Sequence, residues 1–240
     1  MSEAIHLPSR RLDARYMGLT DYAAAWELQK AYVKQIDKEE RAETLLLLQH
    51  PPTYTIGSDR HPEHLLLEAA QLEEKGISVF EIDRGGDITY HGPGQLVGYP
   101  LLYLDAVGLD LHGYLRTIEA VIIDWLAEYG IEASRKPEYT GVWVGDEKIA
   151  AIGVKFNKAR TRRGFITSHG FALNIKSGIA DEGFSGIVPC GIQQYGVTSF
   201  NDLTGMSLTV EQAAAQILPY FCSRFNSELM LSEYERANSR

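Results

Sequence analysis

Arg84-Gly-Gly-Asp-Ile-Thr-Tyr-His-Gly-Pro-Gly-Gln95 lies between two segments that are typical of β-strands. Ile77–Arg84 alternates apolar and polar residues, and Gln95–Leu104 follows as a second strand. Glycines on both sides of a short polar and aromatic strand allow the backbone to approach a bound group closely. The stretch has neither the Gly-Lys-Ser/Thr ending of a phosphate-binding loop nor the helix of a dinucleotide fingerprint. It predicts a binding wall in a sheet, with a purely structural glycine-rich hairpin as the alternative.

Outward from this stretch, predicted strands and helices alternate irregularly, with several hairpins. Leu45–Leu48 is a continuous apolar run of strand length, which indicates a strand buried on both faces. Helical spacing and capping residues predict four helices, over 22–38, 64–74, 110–129 and 207–230. This pattern favours a single α+β domain over 1–240, in which helices flank a mixed or antiparallel sheet. It leaves open a small C-terminal appendage at 207–230.

Composition limits the classes of function. The chain has 240 residues and a net charge of −9, which argues against general affinity for nucleic acid or anionic membranes. No apolar run approaches the ~18 residues of a membrane span, and no signal peptide is recognisable. The two cysteines, Cys190 and Cys222, form neither a disulfide framework nor a metal-ligand cluster. We therefore expect a cytoplasmic protein without a metal or cofactor.

One cysteine lies on a tight turn, Gly186-Ile-Val-Pro-Cys-Gly-Ile192. Pro189 fixes its own backbone angle, and Gly191 lets the chain turn sharply after the sulfur. A thiol held in this way is a candidate nucleophile, although a lone cysteine is more often a small buried hydrophobe. Cys222 lies among aromatic residues without such a turn, and we interpret it as core packing.

Two further segments carry candidate functional groups. Gly145–Gly153 is a turn that leads into small apolar residues, and Lys148 stands where the strand begins. Most such lysines are solvated, but a buried one loses its proton readily. Thr167–Asn174 contains His169 next to a glycine, and this histidine is either a satisfied wall residue or a catalytic one.

The segment Lys155–Arg163 differs from the acidic remainder of the chain because it contains five cations and no acid. A solvated hairpin tip is the simpler interpretation. The functional alternative is a docking patch for an acidic or phosphorylated partner.

Together, and in this order, these segments resemble those of the lipoyl(octanoyl) transferases, and the resemblance covers roughly 43–204. It includes His50-Pro-Pro-Thr-Tyr-Thr-Ile-Gly57, Arg84–Pro100 and the motifs around Lys148, His169 and Cys190. The resemblance implies the fold of the catalytic module of biotin and lipoate protein ligases. The stretch 157–164 departs from the family by being longer and more basic than its minimum.

The resemblance also implies a reaction. Cys190 would take an octanoyl group as a thioester from the phosphopantetheine arm of acyl carrier protein. It would then pass the group to a lysine of a lipoyl domain, in a 2-oxoacid dehydrogenase E2 subunit or the glycine-cleavage H protein. Lys148 would form a dyad with the cysteine, and His169 is a further candidate contact. The implied acyl-binding walls comprise Arg84, Gly85, Gly86, Asp87, Ile88, Thr89, Tyr90, His91, Ala151, Ile152, Gly153, Gly170, Phe171 and Ala172.

Two alternatives remain at this point. An ATP-dependent lipoate or biotin ligase has the same fold and activates its acid as an adenylate, without a nucleophilic cysteine. A non-catalytic protein that binds acylated carrier protein would need no reactive group at all.

Overall fold

The computed structural model describes residues 10–188 and 195–230. The strands in these ranges are β1 (Arg10–Leu19), β2 (Glu43–Gln49), β3 (Thr53–Ile56), β4 (Ser78–Glu81), β5 (Ile88–His91), β6 (Gln95–Leu101), β7 (Ser134–Lys136), β8 (Tyr139–Val144), β9 (Glu147–Lys158), β10 (Phe165–Asn174), β11 (Gly196–Val197) and β12 (Ser227–Leu229). The α-helices are α1 (Tyr22–Asp37), α2 (Ala69–Glu74), α3 (Leu104–Val107), α4 (Leu111–Ala127), α5 (Ile179–Gly183), α6 (Phe200–Thr204) and α7 (Val210–Arg224). Pro62–His64 and Phe184–Gly186 form short 3-10 turns.

The main sheet has the strand order β12-β1-β2-β6-β10-β9-β8-β7, and β11 pairs with β9 outside this path. The contacts of β1 with β2 and β12 are parallel, whereas the pairs from β2 to β7 are antiparallel. A mixed sheet with helices on both faces confirms the predicted α+β class.

Strand β2 explains how the two faces are covered. Its side chains alternate, so Leu45 and Leu47 belong to the core beneath α4 and α7, while Leu46 and Leu48 belong to the core beneath α1. All four are at most 1% exposed. The continuous apolar run therefore forms the predicted buried strand, because both faces of this strand are covered.

The C-terminal region differs from the prediction of one long helix over 207–230. Thr209 and Gln212 form a capping box at the start of α7, and the helix continues through Pro219. The helix ends because Asn226 adopts a left-handed conformation with φ 45°, which asparagine tolerates better than most residues. Strand β12 then pairs with β1, and α7 packs into the main core. Helix α7 is therefore part of the central packing.

A second sheet, β4-β3-β5, covers one side of the main sheet. Tyr54, Ile88, Tyr90, Phe184 and Ile187 form its small apolar core. Strand β4 is an edge strand with mostly exposed residues, in contrast to the half-buried strand predicted there. The helix predicted over 64–74 is limited to α2, because the residues before it form a 3-10 turn and an irregular connection.

In the ranges that the structure describes, no helix combines the length and apolar character needed to cross a bilayer.

Candidate active site

Two adjoining clefts lie where the second sheet meets β9 and β10. Both are lined by Thr89, Ala151 and Ala172, so they form one continuous cleft. Its first part, the Lys148 end, is lined by Lys148 and aromatic side chains. Its second part, the His169 end, is lined by His169, Arg84 and the glycine-rich segment.

Small residues on paired strands create the space. Ala151 pairs with Ala172 and Gly153 with Gly170 in the antiparallel ladder of β9 and β10. A Cβ atom on Gly170 would come within 2.0 Å of the carbonyl oxygen of Gly98, so only glycine allows this close approach between strands. The local sequence therefore leaves an open cleft without a gap in the sheet.

The structure brings the three predicted wall segments together around this cleft. The predicted residues that line it are Arg84, Gly85, Gly86, Thr89, His91, Ala151, Ile152, Gly153, His169, Gly170, Phe171 and Ala172. Cys190, with Pro189 and Gly191, lies outside the described residues. Tyr195, on the far side of that segment in the sequence, lines the Lys148 end.

Three other predicted wall residues do not line the cleft. Strand β5 alternates, so Thr89 faces the cleft while Ile88 and Tyr90 point into the small apolar core. Asp87 instead accepts hydrogen bonds from the ring of His64 and, at 3.3 Å, from the backbone N–H of His61. The cleft wall over 84–91 is therefore interrupted at these three residues, and their part in substrate binding stays a prediction.

Lys148 is buried, with 8% of its surface exposed. Its Nζ donates to the carbonyl oxygen of Thr140 at 3.4 Å and lies 4.8 Å from the ring centroid of Trp143. A Cβ on Gly141, at φ 138°, would meet the Lys148 Cε at 3.4 Å, so this glycine gives the lysine stem its room. The strand pairs Lys148 with Trp143 on one side and Val197 on the other, which fixes where the side chain begins.

Aromatic rings form the rim near Lys148. The ring of Tyr195 packs against Trp143 at a centroid distance of 5.3 Å, and Lys136 lies 4.0 Å above the Tyr195 ring. Lys136 also bonds Asp146 at 2.7 Å, and this contact raises the pKa of the lysine. The rim is therefore cationic and aromatic.

The backbone at His169 is unusual because its φ of 55° lies in the left-handed region. Its N–H donates to the side-chain oxygen of Gln29 at 2.8 Å, and its Nε2 lies 3.0 Å from Asp83 Oδ1. Burial lowers the pKa of His169, whereas the hydrogen bond from His169 holds the pKa of Asp83 well below its usual range. Both pKa shifts are explained if His169 is neutral and donates its Nε2–H to the Asp83 carboxylate.

Other polar groups behind the His169 end are held neutral by burial. His91 donates through Nδ1 to the side-chain oxygen of Gln95 at 2.9 Å, and desolvation keeps its pKa well below 6.5. His50 Nε2 lies 2.7 Å from the Tyr99 hydroxyl, and burial lowers the pKa of His50 to about 4. Burial likewise raises the pKa values of Tyr22 and Tyr99.

Arg84 is the cation of this end, and the second sheet holds its guanidinium. Its Nη2 donates to the Thr55 carbonyl oxygen at 2.7 Å and the Thr55 hydroxyl at 3.0 Å. Its Nη1 donates to the Gly85 carbonyl oxygen at 3.0 Å. The side chain therefore fixes the glycine-rich segment against β3.

Sequence reasoning missed several cleft residues: Tyr22, Tyr99, Trp143, Asn174, Phe184 and Tyr195. Asn174 ends the Thr167–Asn174 motif, so that motif offered a signal for it. Its side chain accepts from Gln95 and donates to the Thr198 carbonyl oxygen, both at 3.0 Å. The others are aromatic residues that the pattern assigns to ordinary packing.

Comparison with known proteins identifies the family. The model of the lipoyl protein ligase A/B catalytic domain matches residues 21–222. An octanoyltransferase of Rubrobacter xylanophilus is 47% identical over 90% of this chain and 96% of its own length. One from Caldicellulosiruptor saccharolyticus is 43% identical over 91% of this chain and 90% of its own length.

Solved structures share the fold. A bipartite lipoate protein ligase from Thermoplasma acidophilum, described with its E2 lipoyl domain, has a TM-score of 0.65. The likeness covers 94% of this chain and 90% of that chain at 16% sequence identity. It confirms the expected ligase-like fold, and the sequence identities confirm the resemblance to octanoyltransferases. The chain belongs to the lipoyl protein ligase A/B catalytic-domain family and, within it, to the octanoyltransferases.

Proposed function

We propose that this protein transfers an octanoyl group from acyl carrier protein to a lysine of a lipoyl domain, through a thioester on Cys190. The observation that carries the proposal is the buried Lys148 at one end of a cleft whose walls are built from small residues. Relatives named octanoyltransferases that align over most of both chains support the substrate class.

The cleft suits an eight-carbon chain. Lys148 and Ala151 are three residues apart on β9, a separation of about 10 Å at ~3.3 Å per residue. An extended octanoyl chain spans about 9 Å from its ~1.5 Å bonds. The acyl carbonyl would lie near Lys148 and the methyl end beyond Ala151, where each buried methylene contributes ~0.8 kcal/mol. Exclusion of water by these walls would also protect a thioester from hydrolysis.

The first half-reaction replaces one thioester by another. With Lys148 as an ammonium, Cys190 is favoured as the thiolate, because a nearby cation lowers the pKa of a thiol. The thiolate attacks the octanoyl carbonyl carbon, and the bond between that carbon and the carrier sulfur breaks. The departing thiolate takes a proton from Lys148, which leaves a neutral amine.

The second half-reaction forms the amide. The acceptor amine attacks the acyl carbon, the bond to Cys190 breaks, and the thiolate is restored. Lys148 takes the proton that the new amide nitrogen loses, so the ion pair is regenerated and no proton is left over. No ATP is consumed, because both steps start from a thioester.

The test is incubation of the protein with octanoyl-carrier protein in the absence of ATP. We expect an octanoyl mass adduct on the peptide that contains Cys190. Cys190→Ala should abolish the adduct and the transfer, whereas Cys222→Ala should leave both unchanged. Cys222 is a suitable control because it packs at the edge of the main core and burial raises the pKa of its thiol.

The two alternatives predict different results. A ligase would modify the acceptor only with ATP and free octanoate, and Cys190→Ala would remain active. A non-catalytic binding protein would bind the carrier without forming an adduct. Lipoyl domains of E2 subunits and of the glycine-cleavage H protein are the proposed acceptors, and a cytoplasmic location remains a prediction.

A further inference from the structure

A broad surface groove lies between α1 and the hairpin of β9 and β10, outside the cleft described above. Six cationic side chains line it: Lys30, Lys34, Lys38, Lys155, Lys158 and Arg160. Lys30 and Lys34 lie on α1 and Lys38 is its C-cap residue, and their four-residue spacing places them on one face of the helix. The hairpin supplies the other three. Elements far apart in the sequence thus place their positive charges on one surface of a protein with a net charge of −9.

Three of the six cations pair with acids: Lys30 with Glu27, Lys38 with Glu40 and Lys155 with Asp83. Asp37 accepts from the backbone N–H groups of Arg160 and Thr161, and Asp83 binds Lys155 and His169. Among the described residues, no carboxylate lies within ion-pair distance of the side chains of Lys34, Lys158 or Arg160. Clustered like charges repel one another, so this surface is matched by a partner that brings negative charge.

We propose that this groove, which we name the basic groove, docks the acidic carrier protein that delivers the octanoyl thioester. The inference rests on the proposed function and adds the place where the donor binds. The lining of the groove also includes apolar and aromatic side chains such as Trp26, Val33 and Phe156, which a docked protein surface could cover.

Distance distinguishes the donor from the acceptor. Lys155 lies seven residues after Lys148 on β9, which separates the two backbones by about 23 Å. A phosphopantetheine arm has the length of about six extended residues, roughly 20 Å. It therefore comes near Lys148 only when the carrier attaches its arm at the Lys155 edge of the basic groove, with the body of the carrier over Lys158 and Arg160. An acceptor lysine reaches only the length of about two residues, ~6 Å, from its own backbone. An acceptor domain would therefore have to dock beside the Lys148 end itself.

The test compares two double charge reversals. Lys158→Glu/Arg160→Glu changes exposed cations of the basic groove, and Arg60→Glu/Lys75→Glu changes the same number of exposed cations outside it. We expect the first variant to raise KM for octanoyl-carrier protein about tenfold with kcat retained, and the wild-type KM to rise with salt. KM for a neutral small-molecule octanoyl thioester and for the lipoyl-domain acceptor should not change.

Other outcomes overturn the inference. An unchanged KM for the carrier would show that the groove is only a solvated surface. If Lys158→Glu/Arg160→Glu raises KM for the lipoyl-domain acceptor alone, the groove binds the lipoyl domain instead. If the control variant raises KM for the carrier equally, the effect comes from net charge. Calorimetric titration with carrier protein measures docking without chemistry. If the wild-type enzyme binds the carrier through this groove but forms no acyl adduct, the proposed function fails while the docking surface stands.

Discussion

The two ends of the cleft differ in how their buried polar side chains are bonded and charged. At the Lys148 end, a basic side chain with 8% of its surface exposed is held by a carbonyl oxygen and an aromatic ring. At the His169 end, histidine and tyrosine side chains bond to one another and are held neutral by burial. The first end is suited to proton exchange with reacting groups. The second lines the cleft with neutral histidine and tyrosine side chains, and its cation, Arg84, is held by Thr55 and Gly85.

Replacement of Lys148 tests the first half of this contrast and has the largest expected effect. Lys148→Ala should lower the rate of transfer about 10³-fold at neutral pH, since it removes the proton partner of the thiol. The rate should be measured with a neutral small-molecule thioester, which bypasses carrier docking.

Lys155→Ala is the matched control because this lysine lies on the same strand but pairs with Asp83 at the surface. With the small thioester, the control should retain activity within about twofold, as expected for an exposed ion pair. Equal rates for Lys148→Ala and the wild-type enzyme would show that the proposed dyad is wrong.

The neutral histidines predict how stability depends on pH. Burial lowers the folded-state pKa of His50 from 6.5 to about 4, which corresponds to about 3 kcal/mol. The unfolded state therefore binds more protons than the folded state between these two pH values. The contribution of neutral His50 to the free energy of unfolding is fully present above pH 6.5 and is lost as the pH falls towards 4.

Urea unfolding between pH 7.5 and 4 measures this effect. We expect the free energy of unfolding to fall across the window, and the slope to flatten in His50→Gln. The carboxylate of Asp83 does not contribute there, because its stabilisation is lost only below its ordinary pKa of 3.8. A His50 NMR resonance that titrates near 6.5 would contradict the prediction.

The smallest expected effect comes from a substitution that narrows the His169 end of the cleft. A Cβ on Gly85 would meet only the Val154 carbonyl oxygen, at 3.7 Å, and its φ is not in the left-handed range. Gly85→Val should therefore fold and fill part of the cleft. Displacement of two methylenes, at ~0.8 kcal/mol each, should raise KM for an octanoyl thioester about tenfold. KM for a butanoyl thioester should stay unchanged, and an equal rise for both would place Gly85 outside the acyl path.

Hydrophobic patterns and helix-capping residues, which depend only on neighbouring residues, predicted much of the secondary structure. The run Leu45–Leu48 indicated a buried strand, and two of the predicted helices, α1 and α4, begin at aspartates whose side chains cap them, Asp21 and Asp110. These features depend on neighbours in the chain, so composition and spacing are sufficient. Alternation along β5 also separates the cleft residues of that strand from its core residues, although the glycine-rich pattern made the whole segment look like one wall.

The remaining site depends on contacts between distant segments. Tyr22 joins the His169 end only because α1 packs across the face of the sheet that carries Leu46 and Leu48. Likewise, the cationic face of α1 forms the basic groove only together with the hairpin of β9 and β10, which lines the opposite side. Neither contact leaves a periodic pattern in the sequence, so physical reasoning on the chain alone does not find them.

The parallel pairing of β1 with β12 also affects the order of folding. Arg10 donates through Nη1 to the carbonyl oxygen of Phe225 at 3.1 Å, and the Met230 N–H bonds to the Leu12 carbonyl oxygen at 2.8 Å. Strand β1 is synthesised long before its outer neighbour β12. Contacts across so long a stretch of chain form slowly, and an unpaired edge invites aggregation. The growing chain therefore carries an open β edge until β12 has been synthesised.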